Sequence, residues 1–205
     1  MTYPIDRTMQ PRVGITGILL AAGRGSRFDT TEDKLVQPCG ERGEMVAVLA
    51  ARHLLATVPV VAVVAAHGML AEALQRTGCE VILADPLQPR EMSATLRRAI
   101  AHASHAPGWL VALADMPLVL PATIGALHNA LQAGADIAVP VAASRRGHPV
   151  GFSARHRDAL LALRGDQGAR AILASNAVTE VPVDDPGIFA DIDTRADLDA
   201  LGRIK

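Results

Sequence analysis

The stretch Ile18-Leu19-Leu20-Ala21-Ala22-Gly23-Arg24-Gly25-Ser26-Arg27 decides the fold of this chain, and Lys34-Leu35 follows it closely. An apolar run leads directly into a glycine-rich turn that carries two arginines, a serine and then a lysine. Glycine lets the backbone approach a ligand and leaves amide donors free, while the cations supply positive charge for a polyanion. The stretch therefore predicts a buried strand followed by a loop that binds a nucleoside triphosphate.

Strand-like and helix-like segments alternate along most of the chain. The predicted strands are almost continuous in valine, isoleucine, leucine and alanine, as in a parallel sheet with helices on both faces. They comprise residues 15–21, 58–65, 80–84, 109–114 and 136–141. The segments between them place apolar residues on one helical face, namely Val46, Leu49, Ala50 and Leu54, then Leu96, Ala99, Ile100 and Ala103, and then Ile124, Leu127 and Leu131. This order predicts a three-layer α/β fold with a doubly wound, mostly parallel sheet that binds ligands at the carboxyl ends of its strands.

Length and composition exclude several classes of protein. A chain of 205 residues without an internal repeat or a low-complexity linker predicts one domain, residues 15–205, after a flexible tail at residues 1–14. The formal net charge of −1 gives no reason to expect nucleic acid or an anionic membrane as a partner. No apolar run reaches the roughly 18–20 residues that a membrane span needs. Cys39 and Cys79 have neither metal-ligand spacing nor a disulfide framework, so we expect a cytoplasmic protein.

The first loop can be compared with three nucleotide-binding patterns. A P-loop needs a Gly-Lys-Ser/Thr ending, which this loop lacks. A dinucleotide fingerprint needs a third glycine where the chain has Phe28. The nucleotidyltransferase signature, Leu-Ala-Ala-Gly-x-x-x-Arg followed by Lys, matches at Leu20, Ala21, Ala22, Gly23, Arg27 and Lys34. An ordinary basic strand-to-helix turn is the alternative, and the coincidence of several features in one short window favours the signature.

The predicted roles in this loop follow from residue type. Small residues would let the backbone bind the nucleotide, and they comprise Ala21, Ala22, Gly23, Gly25 and Ser26 beside Leu20. Arg24, Arg27 and Lys34 would neutralise the triphosphate and serve catalysis by charge stabilisation.

A second candidate segment is Leu113-Ala114-Asp115-Met116-Pro117. Asp115 follows a predicted strand, so its carboxylate would project from the carboxyl edge of the sheet. A hard oxygen ligand there can hold Mg²⁺, which retains several waters and bridges triphosphate oxygens. The alternative is a turn aspartate before proline, which is common. Together with the first loop, the segment favours a metal site.

Three later segments carry further candidate residues. Gly147-His148-Pro149 would hold a histidine rigidly beside an acceptor, although a lone loop histidine is more often only solvated. The segment from Gly165 to Arg170 precedes a helix and would cap it or bind an anion. Asp191-Ile192-Asp193-Thr194 precedes the last helix; Thr194 and Asp197 form a candidate capping box, and an aspartate there would alternatively supply a second metal contact.

Two other groups are weaker candidates. His102 and His105 have helical i, i+3 spacing that can bind zinc, but no third ligand is evident nearby, which favours a solvated helix face. Cys39 follows Lys34 closely, but without a partner base it is interpreted as a small packing residue.

Taken together, these segments resemble the molybdenum cofactor cytidylyltransferases, a group of molybdopterin nucleotidyltransferases, from residue 15 to about residue 201. The first loop indicates only the superfamily, and the later segments give the resemblance its specificity. The resemblance implies a Rossmann-like nucleotidyltransferase fold. Its Ala-Ala-Gly loop goes with CTP, whereas guanylyl relatives usually carry Ala-Gly-Gly. Two departures affect substrate identity: Phe28 follows Arg27 where the family has Met-Gly, and Glu91 stands where a glycine leads the turn before the central helix.

The resemblance implies transfer of CMP from CTP, or GMP from GTP, to the terminal phosphate of a molybdopterin acceptor with release of pyrophosphate. Mg²⁺ would lie on Asp115 with Asp191 or Asp193, and the acceptor would contact Gly147, His148, Pro149 and Arg170. A molybdoenzyme would receive the product. Two alternatives stay open: a cytidylyltransferase for another phosphorylated small molecule such as a sugar or polyol phosphate, and a non-catalytic carrier of the cofactor.

Overall fold

Ten strands and seven helices follow one another in the part of the chain that a computed structural model describes, residues 14–23, 33–40, 42–88, 91–165 and 169–201. The strands are β1 (Thr16–Ala21), β2 (Pro38–Cys39), β3 (Glu44–Met45), β4 (Val60–Val64), β5 (Glu80–Leu83), β6 (Gly108–Leu113), β7 (Ile137–Ala142), β8 (Arg145–Arg146), β9 (Val150–Ser153) and β10 (Thr179–Pro182). The helices are α1 (Val46–Leu55), α2 (Met69–Thr77), α3 (Met92–His102), α4 (Pro121–Gln132), α5 (Arg157–Leu161), α6 (Arg170–Ser175) and α7 (Arg195–Leu201). Short 3₁₀ turns lie at Lys34–Val36, Ala154–His156 and Pro186–Phe189.

The main sheet is a mixed, mostly parallel sheet with the order β10-β7-β9-β6-β1-β4-β5, and β8 pairs with β7. Strand β1 lies between β4 and β6 and is parallel to both. Strand β9 is antiparallel to β6 and to β7, between which it lies. The predicted α/β fold with a doubly wound, mostly parallel sheet is therefore confirmed.

Two apolar cores cover the two faces of the sheet, which explains the unbroken apolar runs of its strands. One core packs α1, α2 and α4 against the sheet, and the other packs α3 and α5 against the opposite face. All five residues of β4 are buried. Gly17 in β1 is needed for this packing, because a Cβ there would lie 2.8 Å from Leu54 Cγ in α1.

The predicted elements agree with the structure to within one or two residues at their ends. The apolar residues predicted for α1, α3 and α4 face the cores. Helix α3, however, ends at His102, so the predicted helical pairing of His102 with His105 is wrong. The sequence patterns did not indicate the short elements β2, β3, α2, α5, β8 and β10. Within the described residues, no helix has the length and apolar character needed to cross a bilayer.

The strand order brings the predicted functional segments to one edge of the sheet. The carboxyl ends of β1 and β6 are adjacent because the two strands are parallel. Since β9 is antiparallel, its first residue, Val150, lies at that same edge, next to Val111 of β6. The loop that contains His148 therefore enters the sheet where the loops after β1 and β6 leave it.

Candidate active site

Lys34 lies at the centre of the site and contacts two carboxylates. Its Nζ donates hydrogen bonds to Asp115 Oδ2 at 2.7 Å and to Asp193 Oδ1 at 3.0 Å. These partners are distant in sequence, and the lysine is only 8% exposed. Asp33 caps the 3₁₀ turn that carries Lys34 by accepting from Leu35 N at 3.0 Å. The turn is thereby fixed with the ammonium between the two aspartates.

The backbone positions both aspartates. Asp115 follows β6, where the neighbouring Ala114 N donates to Leu20 O of β1 at 3.1 Å. The Asp115 carbonyl accepts from Ile192 N at 2.9 Å, which ties the loop after β6 to the segment that contains Asp193. The end of β6 and the end of β1 meet at this point, because the two strands pair in parallel.

The start of α7 fixes Asp193. Asp197 Oδ2 accepts from Thr194 N at 2.7 Å and from Asp193 N at 3.1 Å, while Asp197 N donates to Thr194 Oγ1 at 3.2 Å. These reciprocal bonds confirm the predicted capping box. The bonds to the Thr194 side chain and backbone lower the pKa of the Asp197 carboxyl. Asp193 is therefore held rigidly at the helix end while its side chain contacts Lys34.

Charge in this cluster stabilises the protonated lysine. Burial alone would lower the pKa of Lys34, but the hydrogen bonds and negative charges of Asp115 and Asp193 outweigh burial and raise it above the ordinary value. The two ion pairs therefore keep Lys34 protonated between the carboxylates.

A cavity of about 670 Å³ opens beside the cluster. Its lining includes carboxylates, guanidinium groups and one imidazole, namely Asp115, Asp191, Asp193, Arg145, Arg146, Arg170 and His148. Its apolar wall includes Leu20, Met92, Leu96, Phe152 and Phe189. A volume of this size suits a drug-sized ligand with both apolar and anionic parts. The predicted residues Asp115, Asp191, Asp193, Gly147, His148 and Arg170 all border this space.

His148 is held in place by its backbone and by burial. Its N–H donates to Ile188 O at 3.0 Å. Gly147 is required for this approach, because a Cβ there would lie 2.5 Å from the same carbonyl oxygen. The ring nitrogen Nδ1 is buried and has no hydrogen-bond partner among the described residues. Burial lowers the pKa of His148, with Arg170 acting in the same direction and Asp115 and Asp191 opposing it. The ring is thus a fixed, neutral imidazole at neutral pH, which differs from the solvated histidine of the alternative interpretation.

Arg145 is a cation at the cavity that the sequence pattern did not indicate as a site residue. The guanidinium of Arg145 lies over the Phe189 ring, 4.5 Å from its centroid. The turn before it has positive φ at Ala143 (47°) and Ser144 (60°), a left-handed conformation that costs free energy in residues other than glycine. The sequence alone shows only that Arg145 and Arg146 are adjacent basic residues. The aromatic partner of Arg145, Phe189, lies more than forty residues later in the chain.

Glu91, a departure from the resembled family, has a structural role. Its Oε2 accepts from Gly165 N at 3.1 Å and so connects the start of α3 to the loop before α6. The nearby Ser93 is fully buried, and its Oγ has no hydrogen-bond partner within the described ranges. The carboxylate therefore holds two walls of the cavity together.

The rest of the first loop is only partly described. Ala21 and Ala22 are buried at the end of β1, Leu20 lines the cavity, and Gly23 is exposed. Arg24, Gly25, Ser26, Arg27 and Phe28 lie outside the described residues, as do the positions 166–168. Their roles remain predictions from the sequence.

The weaker candidates behave as packing or surface residues. Burial raises the pKa of the Cys39 thiol to about 11, so it is a protonated packing residue. His102 Nε2 pairs with Glu80 Oε1 at 2.7 Å on the surface. No group of three or more histidine, cysteine, aspartate or glutamate side chains is arranged for a metal in the described ranges. A divalent ion at the Lys34 cluster would therefore need ligands from its substrate, which is the usual arrangement for Mg²⁺ with one or two carboxylates and substrate phosphates.

Comparisons with known proteins agree with this fold. Residues 17–181 match the family model of the MobA-like NTP transferase domain, and the chain belongs to this family, whose class of activity is nucleotidyl transfer. No curated protein sequence matches the chain significantly.

Among solved structures, Rv0371c of Mycobacterium tuberculosis H37Rv is 27% identical, covering 92% of this chain and 98% of its own, with a TM-score of 0.75. A complex of Rv0371c with manganese is 27% identical over 94% of this chain and 100% of its own, also with a TM-score of 0.75. Molybdopterin-guanine dinucleotide biosynthesis protein A of Archaeoglobus fulgidus is 21% identical over 93% and 98% of the two chains, with a TM-score of 0.69, and is similar in fold.

Proposed function

We propose that the protein transfers CMP from CTP to the terminal phosphate of a molybdopterin-type acceptor, with Mg²⁺ as cofactor and pyrophosphate as the second product. The nucleotidyltransferase family supports the reaction type. The Ala21-Ala22-Gly23 version of the loop supports CTP over GTP. The later motifs Gly147-His148-Pro149 and Asp191-Ile192-Asp193-Thr194 support the acceptor. The fold similarity to the Archaeoglobus fulgidus protein is consistent with this proposal.

The single observation that carries the proposal is the Lys34 cluster. Asp115 and Asp193 direct one oxygen each at a common point, which the ammonium occupies at 2.7 and 3.0 Å. The ammonium is a stand-in cation, so the pair fits a positively charged ion. Their chemistry, two hard oxygens beside a cavity, suits Mg²⁺. The manganese complex of the related Rv0371c supports a divalent ion in this family. Asp191 borders the cavity and is a further candidate ligand.

The proposed reaction needs alignment and charge stabilisation more than proton transfer. An oxygen of the acceptor phosphate forms a bond to the α-phosphorus of CTP. The bond from that phosphorus to the bridging oxygen breaks, and its electron pair leaves with pyrophosphate. No general base is needed, because a phosphate acceptor is already ionised at neutral pH. Mg²⁺, when bound, would neutralise charge on the phosphate oxygens.

Residues of this chain would carry out the remaining tasks. Asp115, with Asp193 or Asp191, would hold the ion, and Lys34 with Arg24 and Arg27 would stabilise the leaving pyrophosphate. The neutral ring of His148, with Gly147 and Arg170, would position the acceptor from the cavity wall, and the adjacent Pro149, which lines a separate small pocket, would act with them. Leu20 and the small residues of the first loop, including Gly25 and Ser26, would bind the nucleotide. The reaction would take place in the cytoplasm, in one NTP-transferase domain at residues 15–205, and a molybdoenzyme would receive the product.

The direct test is pyrophosphate release with the purified chain, Mg²⁺ and molybdopterin cofactor. We expect release with CTP and much less with GTP. Release only with a sugar or polyol phosphate in place of the cofactor would support the alternative cytidylyltransferase. Tight cofactor binding without any release, and without Mg²⁺-dependent CTP affinity, would support the carrier.

We expect His148→Gln to raise the KM for the acceptor by about tenfold, the effect of losing one good hydrogen bond, with little change in the KM for CTP. Initial rates at varied acceptor and varied CTP separate the two constants. Equal rises in both constants would remove His148 from the acceptor site.

The same residue predicts a pH dependence. Because the pKa of His148 lies below its ordinary value of about 6.5, its ring stays neutral as the pH falls to that value. Any change in the acceptor KM that comes from protonation of this ring should therefore appear only below that pH. In the His148→Gln variant, the pH dependence of the acceptor KM comes from the ionisation of the acceptor itself. Subtracting this pH profile from that of the unchanged protein gives the contribution of the histidine. A midpoint at or above about 6.5 would contradict the buried neutral ring.

A further inference from the structure

A buried carboxylate outside the predicted site, Asp185, joins the segments that carry the site. It is 2% exposed and accepts three hydrogen bonds. Its Oδ1 accepts from Gly187 N at 2.9 Å, and its Oδ2 accepts from Leu120 N at 2.9 Å and from Thr123 Oγ1 at 2.6 Å. Both oxygens thus have partners, as a buried charge requires.

The three donors belong to two different segments of the chain. Leu120 and Thr123 lie at the start of α4, whose N-cap makes no side-chain hydrogen bond of its own. Gly187 lies in the 3₁₀ turn that leads to Asp191 and Asp193. A carboxylate is favoured at a helix N-terminus by the helix dipole. Asp185 therefore caps α4 from a distant part of the chain and fixes the turn at the same time.

Direct packing continues this seam, which we define as the contact between residues 115–120 and residues 185–193. A Cβ on Gly187 would lie 2.2 Å from Leu118 O, so the two backbones pass each other without room for a side chain. At the other end, Ile192 N donates to Asp115 O. The seam thus begins at Asp185 and ends at the two carboxylates that contact Lys34.

The loop that contains His148 also depends on residues 185–193. His148 N donates to Ile188 O, and Gly147 packs against that carbonyl group. Residues 185–193 are therefore the common support of Asp193, of Asp115 through Ile192, and of the His148 loop. Movement of this segment would therefore change the separation of Asp115 from Asp193.

We propose that Asp185 is a positioning residue, whose buried carboxylate sets the spacing of Asp115 and Asp193 and hence the affinity of the site for a divalent metal bound to a triphosphate. The inference rests on the proposed function for the identity of that ligand. Asp185 itself makes no contact with substrate. It acts on the positions of Asp115 and Asp193 through the seam.

Two variants disturb the seam in different ways. Asp185→Asn keeps the size of the side chain but replaces one acceptor oxygen with an NH₂ group, which must face an N–H or O–H donor. Gly187→Ala leaves the carboxylate intact and forces a methyl group against Leu118 O. The matched glycine control is Gly125→Ala, since a Cβ at Gly125 in α4 meets nothing within 4 Å. Leu74→Ala, a fully buried residue of α2, is the control for lost stability.

The measurement is binding of Mn²⁺, by electron paramagnetic resonance, with and without CTP, below the melting temperature of every variant. We expect both seam variants to weaken Mn²⁺ binding in the presence of CTP by about 10- to 100-fold, as removal of outer partners of metal ligands does. Binding of CTP without metal should stay within about twofold, because the loop after β1 does not belong to the seam. Gly125→Ala and Leu74→Ala should bind Mn²⁺ like the unchanged protein.

Other outcomes overturn the inference. If either seam variant folds and binds Mn²⁺ as the Leu74→Ala control does, Asp185 serves stability alone. If both variants lose CTP and Mn²⁺ binding equally, the seam does not act on the metal carboxylates specifically. If the unchanged protein binds no Mn²⁺ with CTP, the metal site of the proposed function fails, and the positioning role fails with it.

Discussion

Asp115→Ala is expected to reduce the rate of pyrophosphate release at saturating CTP by at least about 100-fold, the range seen when a charge-stabilising group is removed from an active site. Asp115 lies two residues after the central strand β6, and its Oδ2 is directed at the cation position beside Asp193. Loss of one of two carboxylates would leave Mg²⁺ with a single protein anchor. The effect is measured by stopping the reaction at timed intervals and quantifying the pyrophosphate released at saturating acceptor.

The fold should survive this change. The backbone carbonyl of Asp115, which accepts from Ile192 N, is retained in the variant, and Lys34 keeps its second partner, Asp193. Thermal unfolding and far-ultraviolet circular dichroism check this point. Asp115→Asn is the matched control for shape, and it should also be inactive because an amide binds Mg²⁺ more weakly than a carboxylate. Turnover within about threefold of the unchanged protein in either variant would exclude Asp115 from the metal site.

Lys34→Met is expected to have opposite effects on turnover and on metal binding. Turnover should fall by at least about 100-fold, because the ammonium that would stabilise pyrophosphate is gone. Binding of Mn²⁺ in the absence of nucleotide should become tighter, since the two carboxylates lose the cation at 2.7 and 3.0 Å that competes for them. Mn²⁺ titration and the rise in melting temperature with Mn²⁺ measure the second effect. Equal Mn²⁺ affinity in both proteins would show that Lys34 does not occupy the metal position.

The same variant should be less stable than the unchanged protein by about 2 kcal/mol at neutral pH, the range for hydrogen bonds to charged groups. The pKa of Lys34 is raised on folding. Its contribution is therefore complete below the ordinary lysine pKa of about 10.4 and is lost as the pH rises through the higher folded value. Denaturant unfolding from pH 6 to pH 11 should show a constant difference that shrinks only at the alkaline end. Lys34→Arg keeps the charge and should remain close to the unchanged protein in stability.

The sequence predicted those parts of the site that depend on local pattern. The apolar run into Ala22-Gly23 fixed β1, and an aspartate directly after a strand placed Asp115 at the carboxyl edge. Thr194 and Asp197 have the spacing of a capping box, and the structure contains its reciprocal hydrogen bonds. Each of these features involves residues within a few positions of one another.

The remaining parts arise from tertiary contacts that local pattern does not encode. Lys34 meets its two partners 81 and 159 positions later in the chain, which requires the strand order β6-β1-β4 and the return of the C-terminal segment. Asp185 has the sequence context of an ordinary Asp-Pro turn, and its partners at Leu120 and Thr123 become evident only in the folded chain. Arg145 over Phe189 depends likewise on packing between distant loops.

The main sheet has two parts with different proposed functions, and the antiparallel strand β9 belongs to the second part. Strand β1 leads into the proposed nucleotide loop, while β7, β9 and β10 adjoin the segments at residues 143–149 and 183–190. Surface loops tolerate changes in length and composition better than the strands beneath them. The segments at residues 143–149 and 183–190 can therefore be exchanged while the loop after β1 keeps its sequence. Under the proposed function, chimeras that transplant residues 143–149 together with 183–190 would test new acceptors on the proposed CTP site, and the two segments belong together because His148 N donates to Ile188 O.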